Sequence, residues 1–483
     1  MRILAAVFLV VVAAIGGVFW FAARAEGPAV LIVQPSKLLG IAGALEVTVE
    51  TPGGLFTTID VRLEQGGRTL PLFSLAAPGE TTLKQETPDR LRITRPIGRQ
   101  SLPGLEGGAA RVVVVASRSV LFGLRTPTTT ASRDVQVRLT PPQVSIASTH
   151  HYVNHGGAEM AVYRVSPPDV ESGVRVGNVR YPGFPATGAG LSDPALRVAF
   201  FALLYDQDLN TPIELYARDE AGNEAHAQFD HKVFQKPQKR SRIELNDAFL
   251  QRVVPDILQH TPDVRVPAGD PLTGFLKING DLRRINADKI LSMAGQTAPQ
   301  ILWKGPFRPL GNAQVESKFA DHRTYFYQGK EVDQQVHLGF DLAVTANVPV
   351  LAGNDGRVVY ADYLGIYGNC VILDHGMGVQ SLYGHLSSID VKAGDTVAKD
   401  QPLGRSGVTG LAAGDHLHFA MLVGGYPVNP VEWWDPHWIQ DRVLRKVQEA
   451  GNPAGTARVE PAPGTAAPAR KPPVKPRAEP RRR

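Results

Sequence analysis

The sequence predicts a mainly β protein built from several modules, and three observations support this fold class. Gly (48) and Pro (38) are abundant among the 483 residues, which favours turns and short strands over long helices. Partly alternating, β-branched segments recur between 27 and 235, as in 44–51 (ALEVTVET) and 110–116 (ARVVVVA), with Gly- and Pro-rich turns between them. The chain is also long enough for about three domains at roughly 150 residues each.

An uncharged, mostly apolar run of 21 residues occupies positions 3–23. A helix of that length, rising about 1.5 Å per residue, matches the thickness of a bilayer core. Trp20 and Phe21 near its end suit a membrane–water interface. Residues 1–26 are therefore predicted to form an N-terminal, single-pass transmembrane anchor in the inner membrane, with the rest of the chain exported. A cleaved signal peptide is the alternative, because residues 23–25 (ARA) form a small-x-small site.

Residues 27–133 and 134–235 are predicted to form two β-sandwich modules of immunoglobulin-like type, because short strands follow one another at sandwich spacing. The Cys…Trp…Cys signature of antibody domains is absent, since Cys370 is the only cysteine. That residue is interpreted as a buried small side chain rather than a nucleophile. For the two modules we consider three roles: spacers, binding sites for a protein partner, or a cover over a catalytic groove.

Residues 236–302 are predicted to form a helical connector. Its helical candidates are 243–258, where Pro255 must end or kink the helix, and 282–293, which has apolar residues at helical spacing. We expect the connector to lead directly into a C-terminal domain.

The last segment, 451–483, is rich in Pro and Ala and carries eight basic and two acidic side chains. It lacks large apolar residues, so it is predicted to be disordered and extended. Either it contacts anionic polymers or lipid headgroups, or it only keeps the chain soluble. The net charge of the whole chain is +5, so the remainder is nearly neutral. This distribution predicts no nucleic-acid partner.

Three short clusters between 303 and 440 contain the residues that suggest a catalytic metal site. They are His337 with Asp341, His385 in YGHL, and His416 with His418 in HLHF. Zn²⁺ binds imidazole nitrogen and carboxylate oxygen, and a catalytic zinc keeps one position for water. Residues i and i+2 of a strand point to the same face, so the last two histidines can converge on one site. Each cluster alone is a weak signal; together and in this order they are strong.

Residues 303–435 resemble the lysostaphin/LytM-type zinc endopeptidases of peptidase family M23, and we expect a peptidase domain at 303–440. The resemblance rests on HLGFDLA at 337–343, on the run at 349–362, on the long run at 368–410 and on GDHLHFAMLVGGYPVNPVEW at 414–433. It implies a small antiparallel β-domain with one zinc ion in a groove.

The resemblance also implies a role for each of the five side chains. His337, Asp341 and His418 correspond to the zinc ligands of the family, and His385 and His416 correspond to its catalytic histidines. All five positions are filled in this chain. We expect His416 to act as general base and His385 to donate a hydrogen bond to the developing oxyanion.

One position departs from the family pattern. Relatives often carry an acidic or amide residue after HLHF, whereas this chain has Ala420. The departure puts substrate choice in question rather than metal binding.

The function that the resemblance implies is hydrolysis of peptide cross-links between the stem peptides of peptidoglycan, in the periplasm or extracytoplasmic space. D,D-endopeptidase cleavage is favoured over cleavage of glycine bridges. Two alternatives stay open. One is a non-catalytic envelope scaffold that activates another wall hydrolase, and the other is a carbohydrate- or matrix-binding β-protein with incidental histidines.

The remaining histidines are interpreted as structural. His150, His151 and His155 lie close together in the sequence but lack a supporting metal-binding pattern, and His375 precedes a turn.

Overall fold

The computed structural model describes residues 8–451 apart from the following positions: 14–15, 18–19, 21–23, 53–54, 80, 263 and 267–268. Much of the predicted anchor and the tail from 452 onward therefore lie outside the described residues, and both stay predictions. The described part of the apolar run, 8–13 with 16–17 and 20, is helical. Within the described part of the chain, we find no helix with the length and apolar character needed to cross a membrane.

The first module is a sandwich of two sheets with strand orders β1-β3-β7-β6 and β2-β9-β8-β4-β5. Alternate side chains of each strand enter one shared core, as Leu45, Val47 and Val49 do on β3. Its strands are β1 (Ala29–Gln34), β2 (Leu38–Leu39), β3 (Gly43–Glu50), β4 (Thr58–Gln65), β5 (Arg68–Ser74), β6 (Thr82–Thr87), β7 (Arg90–Ile97), β8 (Gly108–Ser117) and β9 (Thr128–Val137). A 3₁₀ turn, Leu121–Gly123, lies between β8 and β9.

The boundary expected between residues 133 and 134 falls inside β9. This strand pairs with β8 along its whole length, from Ser117 opposite Thr128 to Gly108 opposite Val137. The segment 134–137, expected to open the second module, therefore belongs to the first one. The reason is that a continuous ladder of backbone hydrogen bonds holds the strand in one sheet.

The second module contains two four-stranded sheets, ordered β10-β12-β16-β15 and β14-β13-β17-β18, and a parallel pair of β11 with β19. Its strands are β10 (Gln143–Ile146), β11 (His151–Asn154), β12 (Ala158–Ser166), β13 (Glu171–Val176), β14 (Val179–Pro182), β15 (Phe184–Pro185), β16 (Leu196–Ala202), β17 (Ile213–Arg218), β18 (Glu224–Gln228) and β19 (His231–Phe234). The mainly β fold class is thus confirmed.

The expected connector begins with a strand and continues as helices. Strand β20 (Arg240–Leu245) pairs in parallel with a strand of the C-terminal domain, and helix α1 (Asp247–His260) follows, capped by the Asn246 side chain. The helix therefore begins at 247 rather than at 243. Pro255 lies inside α1 and does not end it.

The second predicted helix is confirmed within one residue. Helix α3 (Arg283–Met293) continues from α2 (Pro271–Lys277) through a π-helical turn, Ile278–Leu282. We expected a start at 282, and the structure assigns that residue to the turn.

The C-terminal domain is built on one eight-stranded antiparallel sheet. The main path is β21-β24-β32-β28-β27-β26-β30, and β33 pairs with β32; β20-β22-β23 and β25-β31-β29 form smaller sheets. Its strands are β21 (Gln314–Ser317), β22 (Asp321–Tyr327), β23 (Lys330–His337), β24 (Phe340–Ala343), β25 (Pro349–Leu351), β26 (Gly356–Tyr363), β27 (Asn369–Asp374), β28 (Val379–Leu386), β29 (Ser388–Ile389), β30 (Thr396–Val397), β31 (Pro402–Arg405), β32 (His416–Val423) and β33 (Tyr426–Val428).

A run of helical segments closes the domain and passes the boundary expected at 440. These segments are α4 (Pro430–Trp434), α5 (Pro436–Ile439), a π-helical turn (Gln440–Leu444) and α6 (Arg445–Gly451).

The second module and the C-terminal domain share one hydrophobic core. Phe200 of the second module packs against Trp303 and Trp433, and all three belong to the same buried cluster. A buried ion pair also joins them, because Lys446 of α6 donates from Nζ to Glu159 Oε1 at 2.7 Å. Burial lowers the pKa of Lys446 and raises that of Glu159. The second module and the C-terminal domain are therefore packed against each other without a solvent-filled gap at this contact.

The buried pair yields a stability prediction. Lys446→Met removes the nearer cation and leaves the buried Glu159 carboxylate with only Arg442, whose Nε lies 3.8 Å from Oε2. We expect this change to lower the free energy of unfolding by ~3–5 kcal/mol. Arg445→Met is the matched control, because Arg445 pairs with Asp441 on the exposed side of the same helix; its unfolding free energy should stay close to wild type. Urea denaturation measures both. An equal decrease in the free energy of unfolding in the two variants would show that the buried pair contributes no more to stability than the exposed one.

Candidate metal centre

Three strands bring together the residues predicted as metal ligands. His337 is the last residue of β23, Asp341 lies in β24, and His418 lies in β32 directly opposite Asp341 in the antiparallel register. Residues 338–339 turn the chain between β23 and β24. The HxxxD motif thus begins at the last residue of one strand, crosses a two-residue connection, and ends at the second residue of the next strand.

The ligand atoms of these three residues form a tight triangle. His337 Nε2 lies 2.9 Å from Asp341 Oδ1 and 3.1 Å from His418 Nδ1, and the third edge, from His418 Nδ1 to Asp341 Oδ1, is 3.0 Å. Zinc binds imidazole nitrogen and carboxylate oxygen at about 2.0–2.2 Å, which places neighbouring tetrahedral ligands roughly 3.3 Å apart. Within the described residues, this is the one group of histidine, cysteine and acidic side chains close enough to hold a metal ion. The donor set and its spacing fit zinc.

The orientation of His337 is fixed by the backbone. Its Nδ1 lies 3.1 Å from the Lys318 carbonyl oxygen, to which it donates, so Nε2 faces the other two ligands. The ring needs no rearrangement to bind a metal ion.

His418 is held by close packing. Its Nε2 is buried and has no hydrogen-bond partner, whereas its Nδ1 faces the triangle. A Cβ atom at Gly339 would lie 2.5 Å from that Nε2. Burial is the main reason that the pKa of His418 falls to about 4, which keeps the ring neutral and able to bind metal.

Arg323, which the sequence analysis missed, holds the outer oxygen of Asp341. Its Nη2 donates to Asp341 Oδ2 at 2.9 Å and to Ser317 Oγ at 2.8 Å. Burial by itself would raise the pKa of Asp341, but the neighbouring histidines, His337 first among them, hold it well below its ordinary value. The carboxylate is therefore charged, and Oδ1 is left for a metal. Nothing in the sequence distinguishes Arg323 from the many surface arginines.

The two histidines assigned to catalysis adjoin the triangle. His385 Nδ1 donates to the Thr409 carbonyl oxygen and His416 Nδ1 to that of Gly414, each at 2.8 Å, so both rings turn Nε2 toward the site. Their ring centroids are 4.7 Å apart, and His416 Nε2 lies 3.5 Å from Asp341 Oδ1. The structure thus brings all five predicted side chains together.

The environments of these two rings differ. Burial and the neighbouring histidines lower the pKa of His385 well below its ordinary value. Burial also opposes protonation of His416, but the Asp341 carboxylate outweighs it, and the pKa of His416 is raised. His416 is therefore the stronger proton acceptor of the two.

A cavity of about 320 Å³ opens over the site, and the connector forms one of its walls. Leu245, Phe249 and Phe275 of the connector line it together with the five site residues. Arg252 of α1 donates to the carbonyl oxygens of Ala412 and Ala413, in the loop that leads to His416. The cavity wall and the site loop are therefore joined directly.

Helix α3 explains the departure at position 420. Ala420 lies on β32 two residues beyond His418, is 2% exposed, and belongs to an apolar cluster with Ile290 and Met293 of that helix. A carboxylate at this position would be buried against the helix without a partner. The connector, rather than the metal site, accounts for the alanine.

Three of the remaining histidines have structural partners in their immediate surroundings. His151 lies 2.9 Å from Ser148 Oγ, and burial lowers its pKa to about 3. His155 Nε2 donates to the Gln207 carbonyl oxygen. His375 bonds Ser381 Oγ and the Asp355 carbonyl oxygen, and burial lowers its pKa to about 4. Cys370 is fully buried, as predicted.

Two adjoining sheets present two histidines and one aspartate around a single point, with two more histidines beside them, and this arrangement is typical of a mononuclear metallohydrolase site. Residues 335–430 match the sequence profile of peptidase family M23. The chain carries a peptidase M23 domain, and the resemblance to this family that the sequence indicated is confirmed.

Individual relatives match a stretch of similar length. The peptidoglycan DD-endopeptidase ShyA of Vibrio cholerae is 41% identical over 96 residues, 20% of this chain and 22% of the relative. The DD-carboxypeptidase/endopeptidase Mpg of Neisseria meningitidis is 39% identical over 97 residues, with the same two coverages. The chain thus spans less than a quarter of the length of either. The catalytic domain of lysostaphin from Staphylococcus simulans is 28% identical, with 26% of this chain and 96% of that one covered and a TM-score of 0.23.

The packing of His418 yields a metal-binding prediction. Gly339→Ala places a methyl group where the His418 ring lies, so we expect the purified variant to lose most of its zinc. Gly311→Ala is the control, because that exposed position has open space around it. Elemental analysis of zinc per chain, with circular dichroism as a check of folding, measures the effect. A zinc-replete Gly339→Ala protein would contradict the ligand assignment for His418.

The Arg323 contact yields a second prediction for the same site. Arg323→Met leaves Asp341 Oδ2 without its strongest donor, so the zinc affinity should fall ~10–100-fold. Arg242→Met on the neighbouring strand serves as control, since Arg242 is exposed and pairs with Glu244. Competition with a chromophoric chelator at constant pH gives both affinities. An unchanged affinity in Arg323→Met would mean that the arginine is only structural.

Proposed function

We propose that this protein is a zinc metalloendopeptidase, anchored in the membrane, that hydrolyses peptide cross-links of peptidoglycan in the bacterial cell envelope. The observation that carries the proposal is the convergence of His337, Asp341 and His418 on one point, with His385 and His416 beside it. The names of the relatives support the substrate class, because one is a peptidoglycan DD-endopeptidase and another a DD-carboxypeptidase/endopeptidase.

His337 Nε2, Asp341 Oδ1 and His418 Nδ1 would hold the zinc ion, one per catalytic domain. When bound, zinc lowers the pKa of a coordinated water and polarises the scissile carbonyl. Arg323 and the Lys318 carbonyl oxygen keep two of these ligands oriented, so the site is preorganised by contacts that do not touch the substrate.

His416 is proposed as the general base. Its Nδ1 proton is committed to the Gly414 carbonyl oxygen, so Nε2 accepts the proton of the attacking water. Asp341 favours the protonated ring that results, because its charged carboxylate lies close to Nε2.

His385 is proposed to stabilise the oxyanion. Since Nδ1 already donates to Thr409, a hydrogen bond to the oxyanion must come from Nε2 of a ring that carries both protons. The resting ring is neutral, and the negative charge that develops on the carbonyl oxygen is what raises its proton affinity. His416, 4.7 Å away between ring centroids, is the adjacent source of that proton.

The proposed location is the cell membrane, with the catalytic domain in the periplasm or extracytoplasmic space. The 21-residue apolar run at 3–23 supports it, as does the wall polymer that the relatives' names imply. A stem-peptide cross-link between D-amino acids is the proposed scissile bond. The scaffold alternative is not favoured, because a purely binding domain has no need of a metal triangle with two proton carriers.

Digestion of purified sacculi tests the proposed reaction. We expect the full chain to convert cross-linked muropeptides into monomers, chelator to stop this, and added zinc to restore it. His416→Ala should keep its zinc yet lose ~10²–10⁴-fold in rate, whereas His418→Ala should lose both zinc and activity. Chromatography with mass spectrometry of the products identifies the bond. A fully active His416→Ala protein would refute the catalytic role of His416. If the zinc-loaded wild-type protein left the sacculi intact, peptidoglycan would be refuted as the substrate.

A further inference from the structure

We infer that two apolar loops at one end of the first sandwich, 55–57 and 119–124, rest in the interface of the membrane that holds residues 3–23. This inference rests on the membrane anchor of the proposed function and goes beyond it. It assigns the first module a lipid-facing surface and an orientation.

The strand registers place both loops at the same end of the sandwich. Thr58, the first residue of β4, pairs with Ser117, the last residue of β8, and Ser117 also pairs with Thr128, the first residue of β9. Loop 55–57 leads into β4, and loop 119–124 joins β8 to β9. The two loops lie side by side, because residues of both line one shallow depression of about 540 Å³.

The chain enters the module at that same end. Arg118 Nε donates to the Glu26 carbonyl oxygen at 2.8 Å, and Gly27 lies against Thr128 and Thr129 at the start of β9. Five residues, 24–28, separate the end of the apolar run from β1. Fully extended they span about 17 Å. An anchor in the bilayer therefore leaves this end of the sandwich close to the membrane surface.

The loops carry apolar side chains where turns are usually polar. Leu55 is 68% exposed and Leu124 is 77% exposed, and Phe56 and Leu121 of the same two loops are half-buried. An exposed apolar patch of this kind marks a contact surface. Its place next to the anchor identifies the contact as lipid.

The charged and aromatic groups at the junction agree with a bilayer interface. Arg24 stacks on the Trp20 ring, 3.9 Å from its centroid, and both residues lie at the end of the apolar run. Aromatic rings accumulate at headgroup depth, and cations near them attract anionic lipids. Arg118 adds a second cation beside the entering chain.

A lipid contact at this end holds the catalytic domain away from the membrane. Strand β9 runs from the loops to the opposite end, and its ten residues span about 33 Å. At that far end Asn223 of the second module accepts from the Ile41 amide and donates to the Arg138 carbonyl oxygen. The first module is thus a spacer of defined length and direction.

Site-specific fluorescence tests the inference on the full chain. The single native cysteine, Cys370, is fully buried, so a thiol-reactive fluorophore labels an introduced cysteine selectively. We choose Leu124→Cys in the loop and Thr69→Cys, exposed at the far end of the same sandwich, as the matched control. Each labelled chain is reconstituted into vesicles of phosphatidylethanolamine and phosphatidylglycerol that contain a lipid with a nitroxide at headgroup depth.

We expect the label at 124 to be quenched by the nitroxide lipid several-fold more than the label at 69. Leu55→Asp, added to the Leu124→Cys chain, should reduce that quenching without changing zinc content. Equal quenching at the two positions, in chains that float with the vesicles, would overturn the inference while leaving the anchor intact. A label at 124 that is shielded from iodide in water but not quenched by lipid would also overturn it, in favour of a protein contact. Chains that fail to float would refute the anchor and this inference together.

Discussion

The convergence of three potential ligand atoms, each about 3 Å from the other two, is the constraint on which the rest of the site depends. The domain holds them there through the β24–β32 register, the Lys318 carbonyl oxygen and the close approach of Gly339. The neighbouring histidines stabilise the charged form of Asp341. A cation bound between the three atoms would be attracted to that carboxylate, so metal binding would stabilise the local fold.

This constraint explains why side chains distant from the chemistry matter. Arg323 pairs with the outer carboxylate oxygen of Asp341, yet it lies on β22, in a different sheet from Asp341. Helix α3 covers β32 through Ala420, and α1 joins the loop before His416 through Arg252. The connector is therefore part of the catalytic domain in a physical sense, because it shapes both the cavity and the strand that carries two site histidines.

The sequence predicted the mainly β class and the candidate metal ligands, which the structure brings together, but not the contacts that support these ligands. Short motifs such as HxxxD and HLHF report chemistry directly, since zinc accepts few residue types and strand geometry limits their spacing. Arg323 carries no such mark, because its role depends on the antiparallel pairing of β22 with β23 rather than on its neighbours in the chain. The predicted domain boundary between residues 133 and 134 was wrong for a related reason. Residues 134–137 alternate like any strand, and only the ladder with β8 shows that they belong to the first module.

Crystallography can test whether His337, Asp341 and His418 bind one zinc ion, by diffraction from crystals of the zinc-loaded chain recorded on both sides of the zinc absorption edge. We expect a single anomalous peak about 2.0–2.2 Å from His337 Nε2, Asp341 Oδ1 and His418 Nδ1. A fully loaded protein whose peak lies on other side chains, or away from these three atoms, would refute the ligand assignment.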